Sequence, residues 1–269
     1  MSGQREPSEN ISGDDGQYLE EVPDDEPRTR AETVINRLGS LYWRKSYGGQ
    51  DAFTCLVRTI LSQNTSDIAS QPAFDSLLER FDTDSLAADI RAARAEAIAE
   101  TIKPAGLYNQ KTAVLQQAAT RVIEEFGGQS TFDQLVKSRP PEEARSILLD
   151  FDGVGPKTAD CVLLFAGGRS GVFPVDTHVH RIARRIGLAP PDADHEDVRK
   201  ALEASVPPEK CGFGHTAMIQ FGREYCSATS PACLDGPEAC PLVPYCEQVG
   251  IDPTSGTVVD PVEEKTRAD

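Results

Sequence analysis

Hydrophobic residues recur along most of this chain at the spacing of one face of an α-helix. The pattern predicts a first helix from Arg30, a second over about 51–62 and a third from about Ser66. Their inward-facing residues are expected to be Val34, Leu38, Leu41, Tyr42, Phe53, Leu56, Ile60, Leu61, Phe74, Leu77 and Leu78.

The rest of the pattern is also helical. Further helices are predicted over about 84–89, 91–102, 108–126, 131–137, 141–149, 195–205 and 213–224. Another begins after Asp176 and ends at Gly187, and Pro156 is a natural first residue for the helix that follows a glycine turn. Strand-like runs are short and isolated, and residues 171–175 are expected to be extended. The pattern therefore predicts an all-α fold.

Charge is concentrated at the two ends of the chain. The net charge is -16, yet residues 1–28 hold nine acids against two bases and residues 247–269 hold six against two. Both segments are polar, so we predict an acidic disordered tail over 1–28 and a disordered tail over 247–269. The remaining residues are only mildly acidic, which leaves room for a local basic face. Two explanations of the negative net charge remain open: two acidic tails, or an adaptation to a high-salt, halophilic cytoplasm.

Four of the seven cysteines lie close together near the end of the chain, at Cys226, Cys233, Cys240 and Cys246. Residues 1–28 lack the basic start and apolar run of a signal peptide, and the sequence shows no apolar run long enough to cross a bilayer. We therefore expect a cytoplasmic protein without a membrane partner, in which clustered cysteines bind metal instead of forming disulfides. Zinc and an iron–sulfur cluster both accept four thiolates.

A glycine hairpin between two predicted helices carries the strongest chemical signal. Gly153, Val154 and Gly155 form a tight turn whose backbone amides can point at a phosphate. Lys157 follows in the first helical turn, where the positive helix end disfavours its ammonium form. A neutral amine is what a nucleophile needs. The alternative is an ordinary interhelix turn with a lysine that contacts phosphate.

Asp176 is the second acid–base candidate. It precedes Thr177 at the start of a helix, so capping alone would explain it. A carboxylate at a helix start can also stabilise a developing cation or help to deprotonate a nucleophile. His178 lies two residues on, and we leave it outside the catalytic set.

Taken together, these motifs resemble the endonuclease III branch of the helix-hairpin-helix DNA glycosylases. The resemblance covers residues 30–246 and rests on five features in a fixed order. They are Leu61-Ser62-Gln63-Asn64-Thr65-Ser66-Asp67, Gly106-Leu107-Tyr108-Asn109, Gly153-Val154-Gly155-Pro156-Lys157-Thr158-Ala159, Val175-Asp176-Thr177-His178 and the four cysteines.

The resemblance implies two helical domains with the DNA lesion bound between them. One is a six-helix barrel over 49–170 that carries the helix-hairpin-helix at about 141–166. The other combines 29–48 with 171–246 and holds a [4Fe-4S] cluster on the four cysteines.

The resemblance also implies roles for individual residues. Lys157 matches the lysine that attacks the sugar, and Asp176 matches the essential aspartate. Asn64 matches the residue that fills the gap left by the flipped base, and Leu107 matches the one that wedges into the stack. The hairpin binds phosphate through Gly153, Val154 and Gly155.

Two departures from the family pattern stand out. Six residues separate Cys233 from Cys240, where the family usually has two. Asp152 stands where many members have proline, which should loosen the turn without removing its amides.

The predicted function is base excision repair by a bifunctional DNA glycosylase and AP lyase that removes oxidised pyrimidines. Its partner would be double-stranded DNA with oxidised bases or abasic sites, bound by a monomer near the nucleoid. A monofunctional T/G or U/G mismatch glycosylase and a non-catalytic DNA-binding redox module are the alternatives. Five residues and one loop are candidates for a basic surface that contacts the DNA backbone: Lys111, Arg181, Arg184, Arg185, Arg223 and the loop before Cys233.

Overall fold

The computed structural model describes residues 27–42 and 47–259, and these ranges form two compact units. The predicted tail over 1–28 lies almost wholly outside them, as do residues 260–269. Within the described ranges the fold is helical, with twelve α-helices, so the all-α prediction is confirmed. None of these helices has the length and apolar character required to cross a membrane.

One unit comprises residues 47–169. Its helices are α2 (Ala52–Ser62), α3 (Asp67–Arg80), α4 (Leu86–Ala92), α5 (Ala95–Thr101), α6 (Tyr108–Glu124), α7 (Gln129–Ser138), α8 (Pro141–Leu149) and α9 (Pro156–Phe165). The other unit comprises residues 27–42 and 170–259. Its elements are α1 (Arg30–Gly39), α10 (Thr177–Ile186), α11 (His195–Ser205), α12 (Cys211–Glu224), β1 (Ile251–Asp252) and β2 (Thr257–Val258).

Helix α2 lies at the centre of the first unit and packs against α3, α7 and α9. The four residues predicted to face inward, Phe53, Leu56, Ile60 and Leu61, are all buried. Asp51 begins the helix, because its carboxylate accepts a hydrogen bond from the Thr54 amide at 2.8 Å. The burial of α2 fixes its last turn, which lies next to the glycine hairpin.

Proline and aspartate mark several helix starts, as the sequence predicts. Pro141 and Pro156 are the first residues of α8 and α9. Asp194 caps α11 through a 2.8 Å bond from the Asp197 amide. Gly187 adopts φ +84° at the end of α10, a left-handed conformation that glycine accommodates without strain.

Residues 247–259 differ from the expected disordered tail. Ile251 pairs with Val258 and Asp252 with Thr257 in an antiparallel β1–β2 ladder. The Asp252 carboxylate accepts hydrogen bonds from the Thr254 amide and the Ser255 hydroxyl, which close the turn. The Glu247 and Val249 amides donate to backbone carbonyls at the end of α10, so the segment is anchored to that helix.

A buried ion pair joins α1 to the turn before α12. The Lys210 ammonium donates to Glu32 at 2.6 Å and to the Asn36 side chain at 2.9 Å. Both charged side chains are about 5% exposed. The hydrogen bond from Lys210 is the main cause that holds the pKa of Glu32 below its ordinary value of 4.5. The pair's contribution is therefore present above pH 4.5 and is lost as the pH falls through the lowered pKa.

Removing one partner of this pair should destabilise the fold more than removing both. We expect Glu32→Leu to lower the free energy of unfolding by about 3–5 kcal/mol, because it leaves the Lys210 charge buried and uncompensated. Adding Lys210→Met should recover most of that loss. Urea unfolding of the two single variants and the double variant measures the coupling. A double variant less stable than Glu32→Leu would contradict this account.

Candidate functional site

The glycine hairpin is the loop between α8 and α9. Gly153 has φ +75°, and a Cβ atom there would approach the Val114 side chain to 3.0 Å. Both features favour glycine at this position. The Val154 amide donates to the Phe151 carbonyl at 3.1 Å and closes the turn. Val154 is buried, whereas Gly153 and Gly155 are exposed, so the turn is anchored by one side chain and open on its outer face.

Two side-chain contacts brace this hairpin. Arg145 on α8 donates to Asp160 on α9 at 2.6 Å, and both side chains are largely buried. Gln63, at the C-cap of α2, donates from one amide nitrogen to the Gly153 carbonyl and to the Thr158 hydroxyl, each at 3.0 Å. Sequence reasoning did not single out Gln63, although it lies inside the motif that contains Asn64.

Lys157 is the second residue of α9 and is partly exposed. Gly155, the residue at the N-cap of this helix, offers no side-chain acceptor, so no side chain of the cap satisfies the first-turn amides. Cys161 follows Lys157 by one helical turn and is buried. Burial raises the pKa of the nearby Cys55 thiol to about 12, and the charge of Lys157 offsets only a part of that. The partly exposed Lys157 therefore lies within electrostatic range of the buried Cys55 thiol.

Asp176 belongs to the other unit and caps α10. Its carboxylate accepts the Val179 amide at 2.8 Å, and its backbone is extended. The residue is partly exposed, so the capping bond leaves the carboxylate open to further contacts. The structure therefore realises the cap expected from the sequence without excluding the catalytic role.

A chain of contacts runs from the start of α10 to the first cluster cysteine. Burial lowers the pKa of His178, and the Asp176 charge opposes that shift. The Nδ1 atom of His178 lies 3.1 Å from the Arg181 guanidinium. Arg181 in turn donates to the Cys226 carbonyl at 2.8 Å. The contacts of His178 therefore connect Asp176 electrostatically with Arg181.

Asn64 and Leu107 share an unusual backbone conformation. Their φ angles are +52° and +47°, in the left-handed region that residues other than glycine rarely adopt. Asn64 is exposed, and 55% of Leu107 is exposed despite its size. Backbone strain of this kind persists where the surrounding structure enforces it, and it is typical of functional sites.

The Lys111 ammonium ties together the segments that carry these two residues. It donates to the Leu61 carbonyl at 2.7 Å, the Thr65 hydroxyl at 2.8 Å and the Ala105 carbonyl at 2.9 Å. Lys111 is only 4% exposed, and burial lowers its pKa. The prediction that Lys111 contributes to an exposed basic surface is therefore wrong.

Two of the predicted backbone-contact arginines are also buried. Arg184 donates to the Pro191 carbonyl at 3.1 Å. Arg185 donates to the Ser227 and Ala228 carbonyls, each at 2.6 Å. Of the five candidates, Arg223 is exposed and Arg181 is partly so. The expected basic surface is therefore smaller than a count of charges along the sequence indicates.

The four cluster cysteines influence one another electrostatically. Burial raises the pKa of Cys246 to about 11 and also raises that of Cys240, and the neighbouring cysteines add to both shifts. The Gln248 amide lies 3.3 Å from the Cys246 sulfur, and the Arg185 guanidinium lies 3.5 Å from the Cys226 sulfur. Such N–H donors suit sulfur atoms that bear negative charge.

These thiols are not arranged around a single ion. In the described part of the chain, no three His, Cys, Asp or Glu side chains lie at the spacing needed to hold one metal ion. A [4Fe-4S] cluster binds one thiolate at each of four irons, so its ligands lie farther apart than those of one ion. The donor chemistry, four thiols with N–H donors at two of them, is of the kind that such a group requires.

Comparison with known proteins places these features in a family. Residues 57–208 match the HhH-GPD superfamily of base excision DNA repair proteins. Endonuclease III of Thermotoga maritima is 32% identical over 197 residues, which are 73% of this chain and 83% of that protein. Endonuclease III of Bacillus subtilis is 31% identical over 196 residues, which are 73% of this chain and 81% of that protein.

Solved structures show the same relationship. A trapped endonuclease III–DNA covalent intermediate has a TM-score of 0.66 at 27% identity, covering 81% of this chain and 96% of that one. A non-covalent endonuclease III–DNA complex has a TM-score of 0.66 at 28% identity, covering 80% and 93%. A thermostable thymine-DNA glycosylase, with a TM-score of 0.65 at 23% identity and coverage of 81% and 94%, shares the fold alone. The family prediction is confirmed: the chain belongs to the endonuclease III family of HhH-GPD base excision DNA repair proteins.

Proposed function

We propose that this DNA glycosylase is bifunctional, removes oxidised pyrimidines from duplex DNA and cleaves the resulting abasic site through a lysine Schiff base. The placement of Lys157 carries the proposal. It is partly exposed in the first turn of α9, two residues after the end of the Gly153–Gly155 turn. A related endonuclease III has been trapped as a covalent intermediate with DNA, and covalent attachment requires a nucleophile, a role that a lysine amine can fill.

The proposed reaction begins when the damaged nucleotide leaves the stack, which costs least where pairing is already weak. The neutral Lys157 amine attacks the sugar C1′, and the base departs with the electrons of the glycosidic bond and takes up a proton. The nitrogen then loses a proton, and its lone pair forms the iminium as the C1′–O4′ bond breaks; O4′ keeps that electron pair and takes up a proton, which opens the sugar. Removal of a C2′ proton expels the 3′ phosphate by β-elimination, and water releases the lysine.

Asp176 has two roles in this proposal. Its capping bond fixes the start of α10, and its negative charge stabilises the cationic sugar or accepts a proton from the nucleophile. Asparagine caps helices about as well as aspartate but carries no charge. The two roles can therefore be separated by a single substitution.

The duplex is held by neutral and apolar groups in this proposal. The amides of Gly153, Val154 and Gly155 bind phosphate at the hairpin. Asn64 occupies the space left by the flipped base, and Leu107 enters the stack beside it. Their exposure and their fixed left-handed backbones support these roles, because a wedge must protrude without collapsing onto the protein.

Cys226, Cys233, Cys240 and Cys246 would hold a [4Fe-4S] cluster, which supplies a rigid, negatively charged crosslink for the loop that carries them. The cluster takes no part in the bond-making steps of this proposal, which require only an amine and a carboxylate. The proposed functional form is a monomer that carries the cluster and acts on DNA.

Borohydride trapping tests the nucleophile. In the presence of sodium borohydride, the wild-type protein should become covalently linked to duplex DNA that carries an abasic site or thymine glycol. Lys157→Ala should reduce the adduct to the level seen without protein, because only a Schiff base is trapped. Lys103→Ala, which removes an exposed lysine from the same unit, is the matched control and should form the adduct normally.

The trapping assay also separates the alternatives. Base release by the wild-type protein without any adduct would indicate a monofunctional mismatch glycosylase. DNA binding without base release or adduct would indicate a non-catalytic DNA-binding module.

The charge of Asp176 should matter more than its capping bond. We expect Asp176→Asn to slow single-turnover adduct formation by about 10²–10⁴-fold, the usual size of an acid–base contribution, with little change in melting temperature. Asp194→Asn is a close control, because Asp194 caps α11 through a bond of the same 2.8 Å length. Equal rates for the two variants would show that Asp176 acts as a cap alone.

Metal analysis tests the cluster. Protein purified without oxygen should contain about four irons and four acid-labile sulfides per chain. Cys233→Ser should lower both contents and destabilise the protein, whereas Cys211→Ala, which removes a buried thiol outside the set, should leave both unchanged. A content of one zinc per chain without sulfide would overturn the assignment.

A further inference from the structure

The apolar side chain of Ile68 is unusually exposed to solvent. It is the second residue of α3, and 79% of it is exposed. The other exposed large hydrophobic side chains among the described residues are Leu107, which is 55% exposed, and Tyr245, which is 36% exposed. A single exposed apolar residue is ordinary, but two on adjoining segments of one unit indicate a surface that receives an apolar partner.

The segment that carries Ile68 is fastened to the segment that carries Leu107. The Thr65 hydroxyl donates to the Ala105 carbonyl at 2.5 Å. Lys111 bonds to the same hydroxyl and the same carbonyl. Ile68 lies three residues after Thr65, and Leu107 lies two residues after Ala105. The two segments that carry these side chains are therefore joined at Thr65 and Ala105, and we define residues 64–68 and 105–107 together as a ledge.

The first turn of α3 is less restrained than an ordinary helix start. Ser66 caps it without a side-chain hydrogen bond, and Pro72 lies inside the helix. Proline has no amide hydrogen, so Pro72 cannot donate to the Ile68 carbonyl, its partner in a regular α-helix. The turn that presents Ile68 therefore lacks one backbone hydrogen bond of a regular helix.

We propose that Ile68 is a positioning residue that acts as a second apolar wedge beside Leu107 and enters the DNA stack at the flipped site. The proposal rests on the proposed function and extends its substrate contacts. Apolar side chains inserted between base steps unstack them and bend the duplex, and isoleucine is among the residues used in this way. An isoleucine has no hydrogen-bonding group, so it adds affinity for a distorted duplex without reading base identity.

Binding to a duplex with a stable tetrahydrofuran abasic analogue tests this role by fluorescence anisotropy. Ile68→Thr keeps the β-branched shape but places a hydroxyl in the stack, and it should weaken binding about tenfold. Ile68→Leu keeps the apolar wedge and should bind within about twofold of wild type. A 2-aminopurine base beside the analogue should brighten when wild type or Ile68→Leu unstacks it, and less so with Ile68→Thr.

Single-stranded DNA supplies the contrast, because it has no duplex stack to open. Borohydride adduct formation on a single-stranded abasic site should be the same for wild type and Ile68→Thr. Ile123→Thr is the control for the substitution itself. Ile123 is a partly exposed isoleucine near the other end of α6, about 24 Å along that helix from Leu107, and its variant should bind the duplex normally.

Several outcomes would overturn the wedge. Duplex binding by Ile68→Thr equal to wild type would do so, as would an equal loss on single strands, which would indicate a contact with the sugar–phosphate backbone. If wild type forms no adduct on any abasic DNA, the Schiff-base proposal fails, yet duplex binding and 2-aminopurine fluorescence still decide the role of Ile68. If wild type does not bind the duplex analogue, both proposals fail.

Discussion

The buried ammonium of Lys111 is the interaction on which the candidate DNA-contact surface depends. It joins the end of α2 to the turn before α6 through oxygen atoms of Leu61, Thr65 and Ala105. A buried charge must keep its hydrogen-bond partners, so these segments cannot separate without a large cost. That constraint offsets the strain of the left-handed residues Asn64 and Leu107, which cost on the order of 1 kcal/mol each. A rigid ledge with protruding side chains is the result.

The last turn of α2 extends this constraint to the hairpin. Leu61 accepts from Lys111, Gln63 donates to Gly153 and Thr158, and Asn64 is exposed one residue later. The last turn of a buried helix and the two residues after it thus fix the glycine hairpin, the first turn of α9 and Asn64. Because burial of α2 is a property of the core, the relative positions of these groups follow from packing and not from a bound ligand.

Helix periodicity and boundary residues were sufficient to predict the fold from the sequence. The ranges 141–149 and 195–205 agree with α8 and α11 residue for residue, because Pro141 and Asp194 mark their starts. Which polar side chains are buried, and which groups they bond to, could not be predicted in the same way. The sequence predicted surface positions for Lys111, Arg184 and Arg185, but tertiary packing buries them against carbonyl groups. Gln63 was missed because an amide beside a turn has no distinctive spacing. The roles of Lys157, Asp176 and the cysteines remain proposals.

The burial of basic side chains inside the fold also affects how this chain binds DNA, which is an anionic polymer. Its net charge is -16, and several of its basic side chains are committed to internal hydrogen bonds. Affinity that comes from lysine and arginine contacts to phosphate is sensitive to salt, because each contact releases counterions. Hairpin amides and apolar wedges carry no net charge and release far fewer counterions. In the proposed mode of binding, an acidic protein with buried cations draws a larger share of its DNA affinity from shape, stacking and backbone amides, which are the contacts proposed for this ledge and hairpin.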